Sequence, residues 1–160
     1  MNTSSGLLYS TDRGATFNRA TVSGNTSTSS NFVGSTASGQ YFFVLDKSCK
    51  LYRSEDSGAN YFQVQVKSGS LPGACERPIG SKSESVLGSV GSKLFIYAGT
   101  GYSDIFLSTD LGNTFAKFTE DQGMPSSMWL STRLFFSDGE SGYFMTDLGL
   151  LVYQPKIEVH

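Results

Sequence analysis

Apolar residues along this chain recur mostly at every second position, in short runs closed by Gly, Ser, Asp or Asn. Examples are "LLYS" (7–10), "LYRS" (51–54) and "IFLS" (105–108), each ending on a serine. Denser runs such as "YFFVL" (41–45) and "LFIYA" (94–98) are only strand-sized. A period of two is the mark of a pleated strand with one face toward a core, and no stretch carries the 3.6-residue period of an amphipathic helix. The pattern predicts strands near 31–35, 41–46, 50–54, 85–90, 93–98, 104–108, 132–137, 142–146 and 149–154, joined by Gly-containing turns. "TFNRATV" (16–22) reads as one further strand. The expected class is all-β.

Composition strengthens this reading. Aromatic residues make up 13% of the chain, there are 18 Gly, 26 Ser and 13 Thr, and only 16% of residues are charged. Aromatic and β-branched side chains suit a pleated surface, and Gly, Ser, Asn and Asp suit corners. A chain of 160 residues fits one domain, residues 1–160, with a core of its own.

The chain also repeats itself. "LLYSTDRGATF" (7–17), "KLYRSEDSGANYF" (50–62) and "IFLSTDLGNTF" (105–115) share Ser-x-Asp-x-Gly, at Ser10/Asp12/Gly14, Ser54/Asp56/Gly58 and Ser108/Asp110/Gly112. The first and third continue with Thr16–Phe17 and Thr114–Phe115. The second has Asn60–Tyr61 instead and reads as degenerate there. Spacings of 44 and 54 residues separate the three aspartates. Each position has a turn-making job: the Asp accepts bonds from backbone N–H groups a few residues on, the Gly takes φ > 0, and the aromatic residue opens the returning strand.

These residues resemble the Asp-box, or BNR repeat, of sialidases, family 74 glycoside hydrolases, sortilin-type receptor domains and photosystem assembly factors. The resemblance implies β-propeller blades of four antiparallel strands, with each box on the hairpin between the third and fourth strands and away from the active face. At about 40–45 residues per blade the chain would hold about three and a half to four blades, as a small propeller or a section of a larger one. The strands near 6–22 would then lack their first two partners, and those near 131–154 their fourth. Bare edges invite aggregation, so the first hairpin is expected to pair with the last strands, within one chain or between two.

Charge and chemistry narrow the function. A net charge of −2 and the lack of a Lys/Arg stripe argue against nucleic acid, and no apolar run approaches the ~20 residues that span a bilayer. "MNTSSGLLYSTD" has neither the basic region nor the apolar core of a signal peptide. The resemblance nevertheless implies an extracellular or exported setting. The single histidine, His160, is terminal, so no internal Ser–His–Asp or Cys–His arrangement exists, and no Cys/His spacing suggests a metal or cofactor. Cys49 and Cys75 are either a disulfide, closing a loop worth about 3 kcal/mol, or two buried thiols.

The boxed aspartates read as structural. Other acids that could form a glycosidase pair are Asp46, Glu76, Glu84, Asp104, Glu120, Asp121, Asp138 and Glu140, which the spacing does not pair and which read as solvated loop charges. A sialidase-like site would need an arginine cluster, and "ERPIG" (76–80) departs from that family's Arg-Ile-Pro element. Two long connections, 66–85 and 119–131, carry the candidate binding residues Arg77 and Trp129, with Arg133 just beyond the second. Trp129 could stack on a sugar, anchor a protein contact or seal an interface between blades. The expectation is a non-catalytic binding or assembly module that takes a glycan or protein surface, either alone, as a homo-oligomer or with the remainder of a larger propeller. The alternatives are a fragment of an Asp-box glycosidase or a structural unit of a virion or cell-surface assembly.

Overall fold

The computed structural model describes residues 2–3, 6–23, 32–46, 48, 50–68, 87–97, 105–118, 135–137, 140–146 and 149–154. Among them there is no helix. The strands are β1 (Asn2–Thr3), β2 (Gly6–Tyr9), β3 (Asn18–Arg19), β4 (Thr21–Val22), β5 (Phe32–Ser38), β6 (Tyr41–Asp46), β7 (Leu51–Ser54), β8 (Asn60–Gln63), β9 (Leu87–Val90), β10 (Lys93–Tyr97), β11 (Ile105–Ser108), β12 (Ala116–Lys117), β13 (Phe135–Ser137), β14 (Gly142–Thr146) and β15 (Gly149–Tyr153).

They form four small sheets, none of them closed. The first is β1-β2-β3, the second β4-β8-β7-β6-β5, the third β12-β11-β10-β9 and the fourth β13-β14-β15. Hairpins β5–β6 and β9–β10 turn on two residues that begin with a left-handed glycine, Gly39 at φ 59° and Gly91 at φ 56°. This is the two-residue geometry whose twist matches that of its flanking strands.

Sequence alternation becomes packing between sheets. Val44, Tyr52 and Tyr61 of the second sheet pack with Leu7 of the first, whereas Phe43, Leu45 and Leu51 join Leu94, Ile96, Ile105 and Phe115 of the third. Tyr153 of β15 meets Phe95 and Phe118 edge to face, with ring centroids 5.2 and 5.5 Å apart. The sheets therefore succeed one another in chain order, and β9 lies against both β5 and β13.

The stretch 16–22 is not one strand, as its sequence suggested. β3 pairs antiparallel with β2, the chain leaves that ladder at Ala20, and β4 then runs parallel to β8 in the second sheet. The apolar positions Ala20 and Val22 explain the step, because both pack on the cluster shared by the first two sheets. Backbone bonds fix it: Ala20 N donates to Leu7 O, Thr21 N to Ala59 O and Ser23 N to Tyr61 O. The second sheet repeats the move, Val64 N donating to Leu51 O and Lys67 N to Asn113 O, and Phe118 N donates to Ile105 O at the matching place in the third.

Among the described residues the expected pairing of the first hairpin with the last strands is not made within the chain. Among the described residues no ladder joins β1–β3 to β13–β15. No ladder partner lies on the outer side of β15 among them either, and its Leu150 and Val152 are exposed.

Candidate functional site

Three turns and one cleft hold the polar groups worth weighing. The box serine ends its strand at Ser54 and Ser108 and directly follows it at Ser10, and the chain then reverses over two left-handed residues: Arg13 and Gly14 (φ 58° and 89°), Ser57 and Gly58 (60° and 88°), Leu111 and Gly112 (58° and 88°). These are the φ values of a type I′ turn. A bond of 3.3 Å closes each, to Asp12 O, Asp56 O and Asp110 O.

The side chains complete the turn. Ser10 Oγ donates to Asp12 Oδ1 at 2.7 Å and accepts from Gly14 N at 2.8 Å. Asp12 Oδ1 accepts from Thr16 N at 2.9 Å, and Oδ2 from Thr16 Oγ1 at 2.6 Å. Ser108, Asp110, Gly112 and Thr114 reproduce this set at 2.8, 2.9, 2.9 and 2.7 Å. The second turn corrects the reading of Asn60 as degenerate: Asn60 N donates to Asp56 Oδ1 at 2.8 Å and Asn60 Nδ2 to Oδ2 at 2.7 Å. A carboxamide N–H replaces a hydroxyl because the carboxylate asks only for a donor four residues on.

With donors on both oxygens, the charged form of each carboxylate is favoured. The Thr16 hydroxyl, followed by the Thr16 amide and the Ser10 hydroxyl, holds Asp12 down to about 2. The Asn60 side chain and amide do the same for Asp56. For Asp110 partial burial pushes up, but the bonds from Thr114 and Ser108 prevail and the carboxyl stays below its ordinary value. Each aspartate is occupied by donors of its own turn.

Asp46 is also occupied. Read from sequence as a solvated loop acid, it is buried at 6% exposure, and Oδ1 accepts from Ser48 N and Lys50 N at 2.8 and 2.9 Å. Tyr52 Oη donates to Oδ2 at 3.2 Å. Burial, with the Asp46 charge beside it, pushes the Tyr52 phenol up to about 12. Glu140 is exposed. The remaining candidate acids Glu76, Glu84, Asp104, Glu120, Asp121 and Asp138 lie outside the described residues, as do Arg77, Trp129, Arg133, Cys49 and Cys75. No group of three or more His, Cys, Asp or Glu side chains that could hold a metal occurs among the described residues.

The cleft is a feature that sequence reasoning missed. It has a volume of about 690 Å³ and lies along β5 and β9, with Ser137 of β13 on its wall. Among the described residues its lining carries seven hydroxyl side chains, those of Ser35, Thr36, Ser38, Tyr41, Ser89, Ser92 and Ser137, and no carboxylate, ammonium, guanidinium or imidazole. Three of the hydroxyls fasten its floor. Thr36 Oγ1 and Ser89 Oγ are 2.7 Å apart, Ser38 Oγ donates to Gly91 O at 2.6 Å, and Ser89 Oγ also donates to Ala37 O. Ser35 and Ser92 are exposed at the surface. The Arg53 guanidinium stands 5.4 Å from the centroid of the Tyr41 ring and 2.9 Å from Glu55, which fixes one wall. A signal for this cleft exists in the sequence: "GSTASG" (34–39) and "GSVGS" (88–92) both put small polar residues where a fully apolar strand would be expected.

No protein-family model matches the chain, and no curated protein matches it in sequence.

Proposed function

We propose that this chain is a non-catalytic binding module whose sheets are the blades of a propeller-like stack, with Asp-box turns holding the blades and the β5–β9 cleft receiving the ligand. The blade reading is supported by the succession of sheets, by the side-by-side placing of β5, β9 and β13, and by boxes that join the third and fourth strands of the second and third sheets. The observation that carries the ligand reading is the run of seven hydroxyl side chains along the described lining of the cleft.

Hydroxyls both donate and accept, so a wall of them matches the alternating donors and acceptors of a polyol, and the Tyr41 ring adds an apolar surface for a sugar face. The described lining residues carry no counter-charge for an anionic ligand and no carboxylate pair of the kind that glycoside hydrolysis needs, and the Arg53 guanidinium behind Tyr41 is paired with Glu55. The ligand class proposed is a neutral glycan.

The test is a glycan array probed with the 160-residue chain, followed by calorimetry on the glycans retained. Ser35 is exposed and lines the cleft, so Ser35→Trp should fill it and abolish retention while the far-UV spectrum stays unchanged. Retention of no neutral glycan, or equal retention by S35W, would sink the reading.

A further inference from the structure

We infer that the first sheet and the outer face of β15 are the two halves of one interface between copies of this chain, packed head to tail. The inference rests on how the sheets stack and is independent of the ligand proposed for the cleft.

Internal repetition shows what covers a box. The aromatic residue seven positions after the box serine is Tyr61 in the second sheet and Phe115 in the third. Both are buried, at 6% and 5% exposure, in clusters that include the preceding sheet. The box glycines approach the preceding sheet too: a Cβ at Gly58 would stand 3.3 Å from Tyr9 Cβ, and one at Gly112 would run into the Leu51 side chain. In both cases the covering residue comes from the strand that leads into the preceding box, β2 or β7.

Phe17 holds the same position in the first turn and is 47% exposed. A Cβ at Gly14 would meet nothing nearer than Phe17 itself, at 3.8 Å. Among the described residues this is a box face without its cover.

The cover exists at the other end of the stack. β15 follows β14 in its sheet as β7 follows β6, and its Tyr153 faces the third sheet. By the two-residue period of a strand, Leu150 and Val152 face the opposite way, and they are 52% and 45% exposed. Among its described residues one copy therefore presents an aromatic box face without a strand over it, and a strand face without a box beneath it. A head-to-tail contact joins unlike surfaces, and two copies close it into a ring by using it twice.

Sedimentation equilibrium across a concentration series tests this. The wild-type chain of 17.3 kDa should double in mass as concentration rises. Phe17→Asp and Val152→Asp should each remain at the single-chain mass, because every contact in either homodimer would carry one damaged half. Mixing the two should restore a doubled mass, since the intact β15 face of F17D meets the intact box face of V152D. Both sites are exposed, so folding should persist. Far-UV spectra check this, and Phe17→Ser with Val152→Ser provide a milder pair. A wild type that stays at 17.3 kDa up to millimolar concentration, unchanged association of the single variants, or no recovery on mixing at tenfold higher concentration would each overturn the inference.

Discussion

The turn at residues 10–17 and the turn at residues 108–115 make the same bonds. Gly N to Ser Oγ is 2.8 Å in one and 2.9 Å in the other, and Thr Oγ1 to Asp Oδ2 is 2.6 and 2.7 Å. Their surroundings are unlike: Phe17 is 47% exposed and Phe115 is 5% exposed, while Ser108 and Gly112 are buried. Identical local geometry in a wet site and a dry one means that the turn is made by its own residues. What the neighbouring sheet adds is the burial of the aromatic residue and the close approach of the glycine. Shape is a local property here, and stability is a property of the stack.

The largest effect should separate the two aromatics. Phe115→Ala removes a buried ring from the cluster shared by the second and third sheets and should lower unfolding free energy by about 3–5 kcal/mol. Phe17→Ala, measured at a concentration where the chain is single, should cost under about 1 kcal/mol because that ring is half in water. Equal costs in urea titrations would show that burial is not what distinguishes the two turns.

The glycines sharpen the same point. Gly14 and Gly112 share a left-handed backbone, at φ 89° and 88°, so alanine at either should cost about 1–2 kcal/mol through backbone strain. At Gly112 the new methyl also runs into Leu51 Cδ2, and since Leu51 is fully buried the overpacking should add about 1–3 kcal/mol. Only Gly112→Ala should therefore disturb the second sheet. Chemical-shift changes at Leu51 in G112A, absent in G14A, would report it, and changes equal in both variants would break the comparison.

The smallest effect is acid loosening of the turns themselves. Asp12 and Asp56 titrate at about 2 in the folded chain against an ordinary 3.8. A depressed carboxyl gives its full contribution above the ordinary value and loses it as pH falls through the folded one, here from 3.8 down through about 2. Carboxyl carbon shifts should place both midpoints near 2, and Thr16 and Asn60 amide protection should fall over the same window. Midpoints near 3.8 would mean that the bonds from Thr16 and Asn60 do not persist in solution.

Much of this molecule is legible in its residue order. The runs 41–46, 93–98 and 104–108 become β6, β10 and β11 almost to the residue, because each is an apolar run of strand length stopped by a turn signal. The turns are legible for a similar reason, since Asp, Gly and Ser act on backbone atoms within four residues of themselves. Three features are not. Asn60 looks like a lost threonine when the pattern is matched by residue name, whereas the carboxylate responds to any donor. The sheet change at Ala20 depends on bonds to Ala59 and Tyr61, some forty residues away, which no local period encodes. The cleft joins Thr36 to Ser89 across 53 residues, and its small polar residues read as turn material until β5 and β9 lie side by side.

The step at Ala20 also bears on how the chain is made. Synthesis delivers residues in order, and N-terminal parts begin to fold first. Thr21 and Ser23 have their acceptors on Ala59 and Tyr61, and Lys67 has its acceptor on Asn113. The stretches that follow the first and second turns therefore stay open until the next turn has left the ribosome and formed. The second and third turns each lock the stretch before them, so order advances through this part of the nascent chain like a zip whose slider is the turn most recently made.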